Sequence, residues 1–194
     1  MKRQYHKEYL TREELTAFLK VKLSSECLEK VRDVFVFSCF TGLVYNDLKK
    51  LREKQLVTLP NGSHYLQIYV PMTRISRNIP LLDIPYRIIE KYRGKQKDGG
   101  LLPLCPLPAM NFRLREIFSE CGINKTITTL SARRTFATTI ASGNGIPLET
   151  VANILEHSHL KSTLAVTCLT EDRIASDMSA ISGQFKDMET MFNL

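Results

Sequence analysis

Apolar residues recur at helical spacing through most of the chain, and at strand spacing in one stretch. Thr11 with Glu14 forms a capping-box signature that opens a first helix. Over residues 25–41, Leu28, Val31, Val34, Phe35 and Cys39 lie close to helical spacing, and Gly42 is a natural C-cap. Phe37 and Phe40 widen that stripe, which predicts a deeply buried helix. Asn46, a good N-cap, predicts a short helix running to Leu51.

The pattern changes over residues 54–82. Leu56, Val57 and Thr58 lead into Asn61-Gly62, a strong hairpin turn signal. Tyr65 to Val70 then reads as a strand and Asn78 to Leu82 as a third, giving a small antiparallel sheet of two or three strands. Helices resume at 84–93, closed by Gly94. Residues 95–106, with Gly99-Gly100 and two prolines, read as a loop. Further helices are expected at 108–121 (closed by Gly122), 131–142, 147–156, 160–168 and 171–181, with Pro147 in a first turn. Phe185, Met188, Met191 and Phe192 stand at helical spacing and suggest a short amphipathic tail helix. The composite is α+β and mostly helical, with one small sheet in a single domain.

Composition narrows the classes. The chain has 194 residues, 43% hydrophobic and 24% charged, enough for one domain with a sizeable core. Lys plus Arg total 27 against 20 for Asp plus Glu, a net charge of +7, which is compatible with a polyanionic partner. No apolar run is long enough to span a bilayer, and MKRQYHKEYL shows no signal-peptide core. The five cysteines are scattered with no C-x-x-C pair, so reduced thiols in a cytoplasm are the simplest reading.

The first specific signal is Ser131-Ala132-Arg133-Arg134-Thr135-Phe136-Ala137-Thr138. It resembles the H-x-x-R-H-T-F-A-T box of tyrosine recombinases, the phage-integrase family. Leu155-Glu156-His157 resembles that family's L-G-H box, and Gly145 to Val151 matches the linker and helix between the two. Upstream, Thr41-Gly42-Leu43 followed by Asp47 is similar to T-G-L-R-x-x-D, and Ile79-Pro80-Leu81 matches the end of the family's hairpin. The resemblance runs from Tyr9 to Gly183, and its closest flavour is the mobile-element integrases of Bacteroides-type bacteria. It implies the recombinase catalytic-domain fold over 9–183, with 1–8 as a lead-in and 184–194 as a tail. Full recombinases of this kind carry a further N-terminal DNA-clamping domain. Only eight residues precede Tyr9, so the chain is expected to be an excised piece or the product of a truncated gene.

The resemblance also implies a chemistry. In this family a tyrosine hydroxyl attacks a DNA phosphodiester. Two arginine forks and histidines stabilise the phosphorane, and a hairpin lysine protonates the leaving oxygen. No metal and no cofactor is called for. Carried over position by position, Arg133 matches the second arginine and His157 the third-box histidine. The first arginine falls on Val44, the lysine on Met72, the second-box histidine on Leu130 and the nucleophile on Val166. No tyrosine follows Tyr92. Thr167 and Cys168 lie nearby and either could be offered as a substitute, but for Cys168 a phosphothiolate link to DNA is an unusual demand. Arg134, Arg74, Arg77 and Lys161 are read either as DNA-backbone contacts or as a solvated charged face. Lys49, Lys50, Arg52 and Lys54 are read as solvated, and His64 and His159 as exposed. Glu156, in place of glycine, adds negative charge beside the phosphate position.

Three functions follow. The first is an impaired recombinase domain that still binds double-stranded DNA, mainly through phosphates. The second is a module that contacts a protein partner or another protomer through the tail and regulates an intact integrase. The third is an active strand-transfer enzyme with an unrecognised nucleophile. On the first reading, Arg133→Ala weakens DNA binding and leaves stability within about 1 kcal/mol, as for a surface change.

Overall fold

In a computed structural model of the chain, residues 8–70, 75–156, 160–164 and 167 are described, with backbone alone at 70, 75, 77, 160 and 161. Helix α1 (Arg12–Lys20) opens on the expected capping box: the Glu14 N–H donates to Thr11 Oγ1 at 3.3 Å and the Thr11 N–H to Glu14 Oε2 at 2.8 Å. Helix α2 (Glu26–Thr41) starts at Ser25, whose hydroxyl accepts the Leu28 N–H, and ends at Gly42 in the left-handed region, φ 71°. As the wide apolar stripe requires, α2 is buried on most sides, Val34, Phe35, Val36 and Phe37 included. It is the central post against which α4 (Asp83–Tyr92), α5 (Leu107–Glu120) and α6 (Thr129–Thr135) pack. Phe35 meets Phe18 of α1 edge-on at 5.3 Å, and Phe118 of α5 stacks on Phe18 at 4.6 Å.

One charge enters this core. Asp33 of α2 is 8% exposed and receives Lys91 Nζ at 2.6 Å and the Tyr92 hydroxyl at 2.8 Å. Burial and the adjacent carboxylate push the Tyr92 hydroxyl well above its usual range, so it stays a proton donor. This pairing ties α4 (Asp83–Tyr92) to the post.

The sheet has order β1-β2-β3 and is antiparallel, built from β1 (Leu56–Thr58), β2 (His64–Val70) and β3 (Ile75–Pro80). Leu66 pairs with Leu56 on one side and Ile79 on the other. Leu66 and Ile79 face the core, whereas the alternate residue Tyr69 is exposed. The third strand starts at Ile75, three residues before the expected Asn78, because pairing with β2 runs out to Val70 opposite Ile75.

The short helix α3 (Tyr45–Leu48) also differs from expectation. The Val44 carbonyl accepts the Asp47 and Leu48 N–H groups at 2.9 and 3.1 Å, so the cap lies two residues before Asn46, which falls inside the turn, and the helix ends at Leu48, short of Leu51. Helix α5 (Leu107–Glu120) follows the loop. The expected helix at 131–142 divides into α6 (Thr129–Thr135), a π-helical stretch (Phe136–Ala141) and a 3₁₀ turn (Ser142–Asn144). Helix α7 (Leu148–Ile154) follows Pro147, and α8 (Leu160–Leu164) is the described part of the expected 160–168 helix. The helices expected at 171–181 and in the tail lie outside the described residues. Among the described residues no helix is long and apolar enough to cross a membrane.

Candidate functional site

Three chain segments that are distant in sequence meet at the end of α2. The first is the turn after α2. Thr41 Oγ1 donates to the Phe37 carbonyl at 2.8 Å, Ser38 Oγ donates to the Leu43 carbonyl, and Gly42 makes the left-handed turn. The second is α6, which delivers Arg133. The third is the end of α7, at Leu155. Arg133 joins them: Nη1 donates to the Gly42 carbonyl at 3.0 Å and Nη2 to the Leu155 carbonyl. The packing is equally close. A Cβ on Gly42 would stand 2.8 Å from Leu155 Cδ2 and 2.9 Å from Phe136 Cδ1. Phe136, Ala137, Ala141, Val151 and Leu155 form a small apolar cluster behind the junction.

The first described stretch of the domain is fastened to the same helix at Leu10. Thr135 Oγ1 accepts the Leu10 N–H at 3.0 Å while donating to the Ser131 carbonyl at 2.9 Å, and Thr139 Oγ1 donates to the Leu10 carbonyl. Both backbone groups of Leu10 are thus satisfied by threonines four residues apart. Sequence reading gave no sign of this anchor; the Thr135/Thr139 spacing was its only trace.

The expected site residues fall out unevenly. Arg133 is half-buried at the junction, and two of its five donors are engaged by main-chain carbonyls. A phosphate at this position therefore meets a fork already partly in use by the fold, and the two main-chain bonds argue for a larger stability cost of Arg133→Ala than a surface change would carry. Arg134 is half-buried on the same helix and makes no ion pair among the described residues. Val44 is half-buried and Leu130 is 50% exposed. Arg77 lies in β3 opposite Ile68, and Lys161 lies in α8. His157, Arg74, Met72, Val166 and Cys168 lie outside the described residues. Of the other thiols, Cys39 is fully buried, and burial pushes it far above the usual range, which keeps it protonated and inert.

Glu156 is the one non-glycine among the described residues with positive φ, at 53°. It occupies the glycine position of the L-G-H pattern, and the backbone keeps the glycine conformation under a side chain that disfavours it. A left-handed L-residue costs roughly 1–2 kcal/mol, partly offset by the roughly 0.4–1 kcal/mol of chain entropy that glycine adds to the unfolded state. Glu156→Gly is therefore expected to raise stability by about 1 kcal/mol, a gain of about 2–4 °C in melting temperature. Thermal unfolding followed by circular dichroism checks it, and a lower melting temperature rules the argument out.

No family model matches the sequence, and no curated protein does. Solved structures do. XerH site-specific recombinase bound to palindromic difH substrate superposes with a TM-score of 0.69 at 19% identity, over 91% of this chain and 52% of that one. The Tn1549 transposon integrase in complex with circular intermediate DNA gives 0.67 at 20% identity, over 89% and 64%. A lambda integrase dimer bound to a COC′ core site gives 0.62 at 16% identity, over 82% and 58%. The chain thus spans between about half and two thirds of the length of these proteins. The mostly helical architecture with its small three-stranded antiparallel sheet agrees with this likeness, and the chain has the catalytic-domain fold of the tyrosine recombinases.

Proposed function

We propose that the chain is a DNA-binding domain of a site-specific tyrosine recombinase, of the mobile-element integrase kind found in Bacteroides-type bacteria, and that its strand-breaking chemistry is impaired. The observation that carries this reading is the junction of Gly42, Arg133 and Leu155 in a recombinase-type fold, with Val44 and Leu130 at positions that the chemistry needs charged. Double-stranded DNA is the partner, met chiefly through phosphates in the cytoplasm, and Arg134, Arg74, Arg77 and Lys161 remain its proposed contacts beside the retained Arg133 and His157. Fluorescence anisotropy with a labelled duplex across a salt series tests it. Affinity is expected to fall steeply with salt, and absence of binding at low salt sinks the reading.

Impairment has its own test. No covalent protein–DNA adduct should survive denaturant, and Val166→Tyr alone should not create one, because Met72 and Leu130 still depart from the pattern. An adduct from that single change would show that the rest of the site is intact.

A protein contact is the second reading, and one observation favours it. An apolar groove of about 600 Å³ runs between α1, the end of β3 and the α6–α7 region, walled by Leu15, Phe40, Ile140 and Ile154. Leu19, Leu82 and Ile146 stand exposed along it. We assign residues 184–194 as the segment that makes such a contact, with a partner or with a second copy. Deleting them should lower the mass measured by light scattering if they hold copies together; an unchanged mass counts against protomer exchange.

A further inference from the structure

We infer that a lysine-rich surface between α3 and the loop after α4 is a second contact for the DNA backbone, next to the junction. The inference rests on the DNA-binding reading above. Residues 47–54 carry four basic and two acidic side chains, and residues 87–98 carry five and two. These twenty residues hold a net +5 of the chain's +7. In sequence they are two separate basic strings, and the first reads as solvated. The fold puts them side by side: Arg52 bridges to Gly100, and the Leu101 N–H donates to the Leu51 carbonyl at 3.2 Å. Between them opens a cavity of about 730 Å³, with Lys49 on one wall and Lys95 and Lys97 on the other.

The acidic residues largely serve other groups. Glu53 and Glu90 pair with Arg93 at 2.7 and 2.9 Å, and Lys91 pairs with Asp33 at 2.6 Å. Asp98, which also lines the cavity, accepts the Gly100 N–H at 3.1 Å. Lys95 Nζ donates to the Lys91 carbonyl at 2.6 Å. Lys49, Lys50, Lys54, Lys95 and Lys97 are exposed and form no ion pair among the described residues. The positive charge of this surface thus rests on these five ammonium groups.

Their chemistry selects the partner. They are point charges on flexible stems, spread along a surface, with no arginine fork converging on one phosphate. That suits successive backbone phosphates and carries no sequence information. Location agrees: α3 forms a wall of the cavity through Tyr45 and Leu48, and it begins directly after Val44.

The test compares wild type, Lys49→Gln/Lys95→Gln/Lys97→Gln, and a control of equal charge, Lys20→Gln/Lys22→Gln/Lys30→Gln. Each is titrated with a labelled duplex across salt, and melting curves confirm folding. The cavity variant is expected to bind about tenfold more weakly at least, with a salt slope smaller by about 3, while the control stays near wild type. An unchanged slope in the cavity variant, or an equal loss in the control, overturns the inference while leaving the DNA-binding reading intact. Wild type that binds no duplex overturns both. Tripolyphosphate binding that the cavity variant loses, with duplex binding unchanged, makes the cavity a small-anion site and overturns it as well.

Discussion

Arg133→Ala is expected to lower stability by about 3 kcal/mol, which corresponds to a melting temperature about 6–12 °C lower. The guanidinium donates to the main-chain carbonyls of Gly42 and Leu155, and alanine leaves both without that donor at a half-buried junction. Hydrogen bonds from charged donors contribute roughly 1.5–3 kcal/mol each, and a buried acceptor left unpaired adds its own penalty. Arg133→Lys should fall between wild type and alanine, since one ammonium cannot bridge two carbonyls as a planar fork does. Chemical denaturation checks both, and an alanine variant within about 1 kcal/mol of wild type would return Arg133 to a surface role. The prediction also separates two meanings of lost DNA binding. If Arg133→Ala unfolds the junction, its DNA affinity falls for a structural reason, and the lysine variant becomes the better probe of phosphate contact.

The other large effect is expected at Gly42. Gly42→Ala combines a backbone at φ 71° with a Cβ under 3 Å from the Leu155 and Phe136 side chains. Left-handed strain of roughly 1–2 kcal/mol adds to overpacking of roughly 1–3 kcal/mol, for a loss of about 3 kcal/mol. Gly94→Ala isolates the first part. Gly94 has φ 69°, but a Cβ there meets nothing within 4 Å. The urea midpoint should shift about twice as far or more for Gly42→Ala. Equal shifts for the two variants would mean that the junction yields to an added methyl group and is not tightly packed.

What could be read from the sequence was mostly local. The stripe of α2, its Gly42 cap and the Thr11/Glu14 box depend on residues within a few turns of each other, and all three stand where the pattern put them. The start of β3 did not follow from its own residues, because pairing with β2 sets it. The start of α3 was missed because Val44, which caps with its backbone alone, gives no side-chain signal. The recombinase fold was legible through its boxes. What Arg133 bonds was not, since its acceptors lie 91 and 22 residues away and are backbone groups that any residue type supplies. The basic surface was hidden for the same reason: each string alone looks like a solvated face, and tertiary contacts such as the Arg52–Gly100 bridge and the Leu101–Leu51 bond bring them together.

The anchoring of Leu10 has a mechanical consequence. Its N–H and carbonyl are held by Thr135 and Thr139, two and six residues beyond Arg133 on the same helical run. Force that reaches Leu10 passes into two side-chain bonds. It is delivered to the helix that carries the arginine, half a turn from the point where three segments of the domain are tied together.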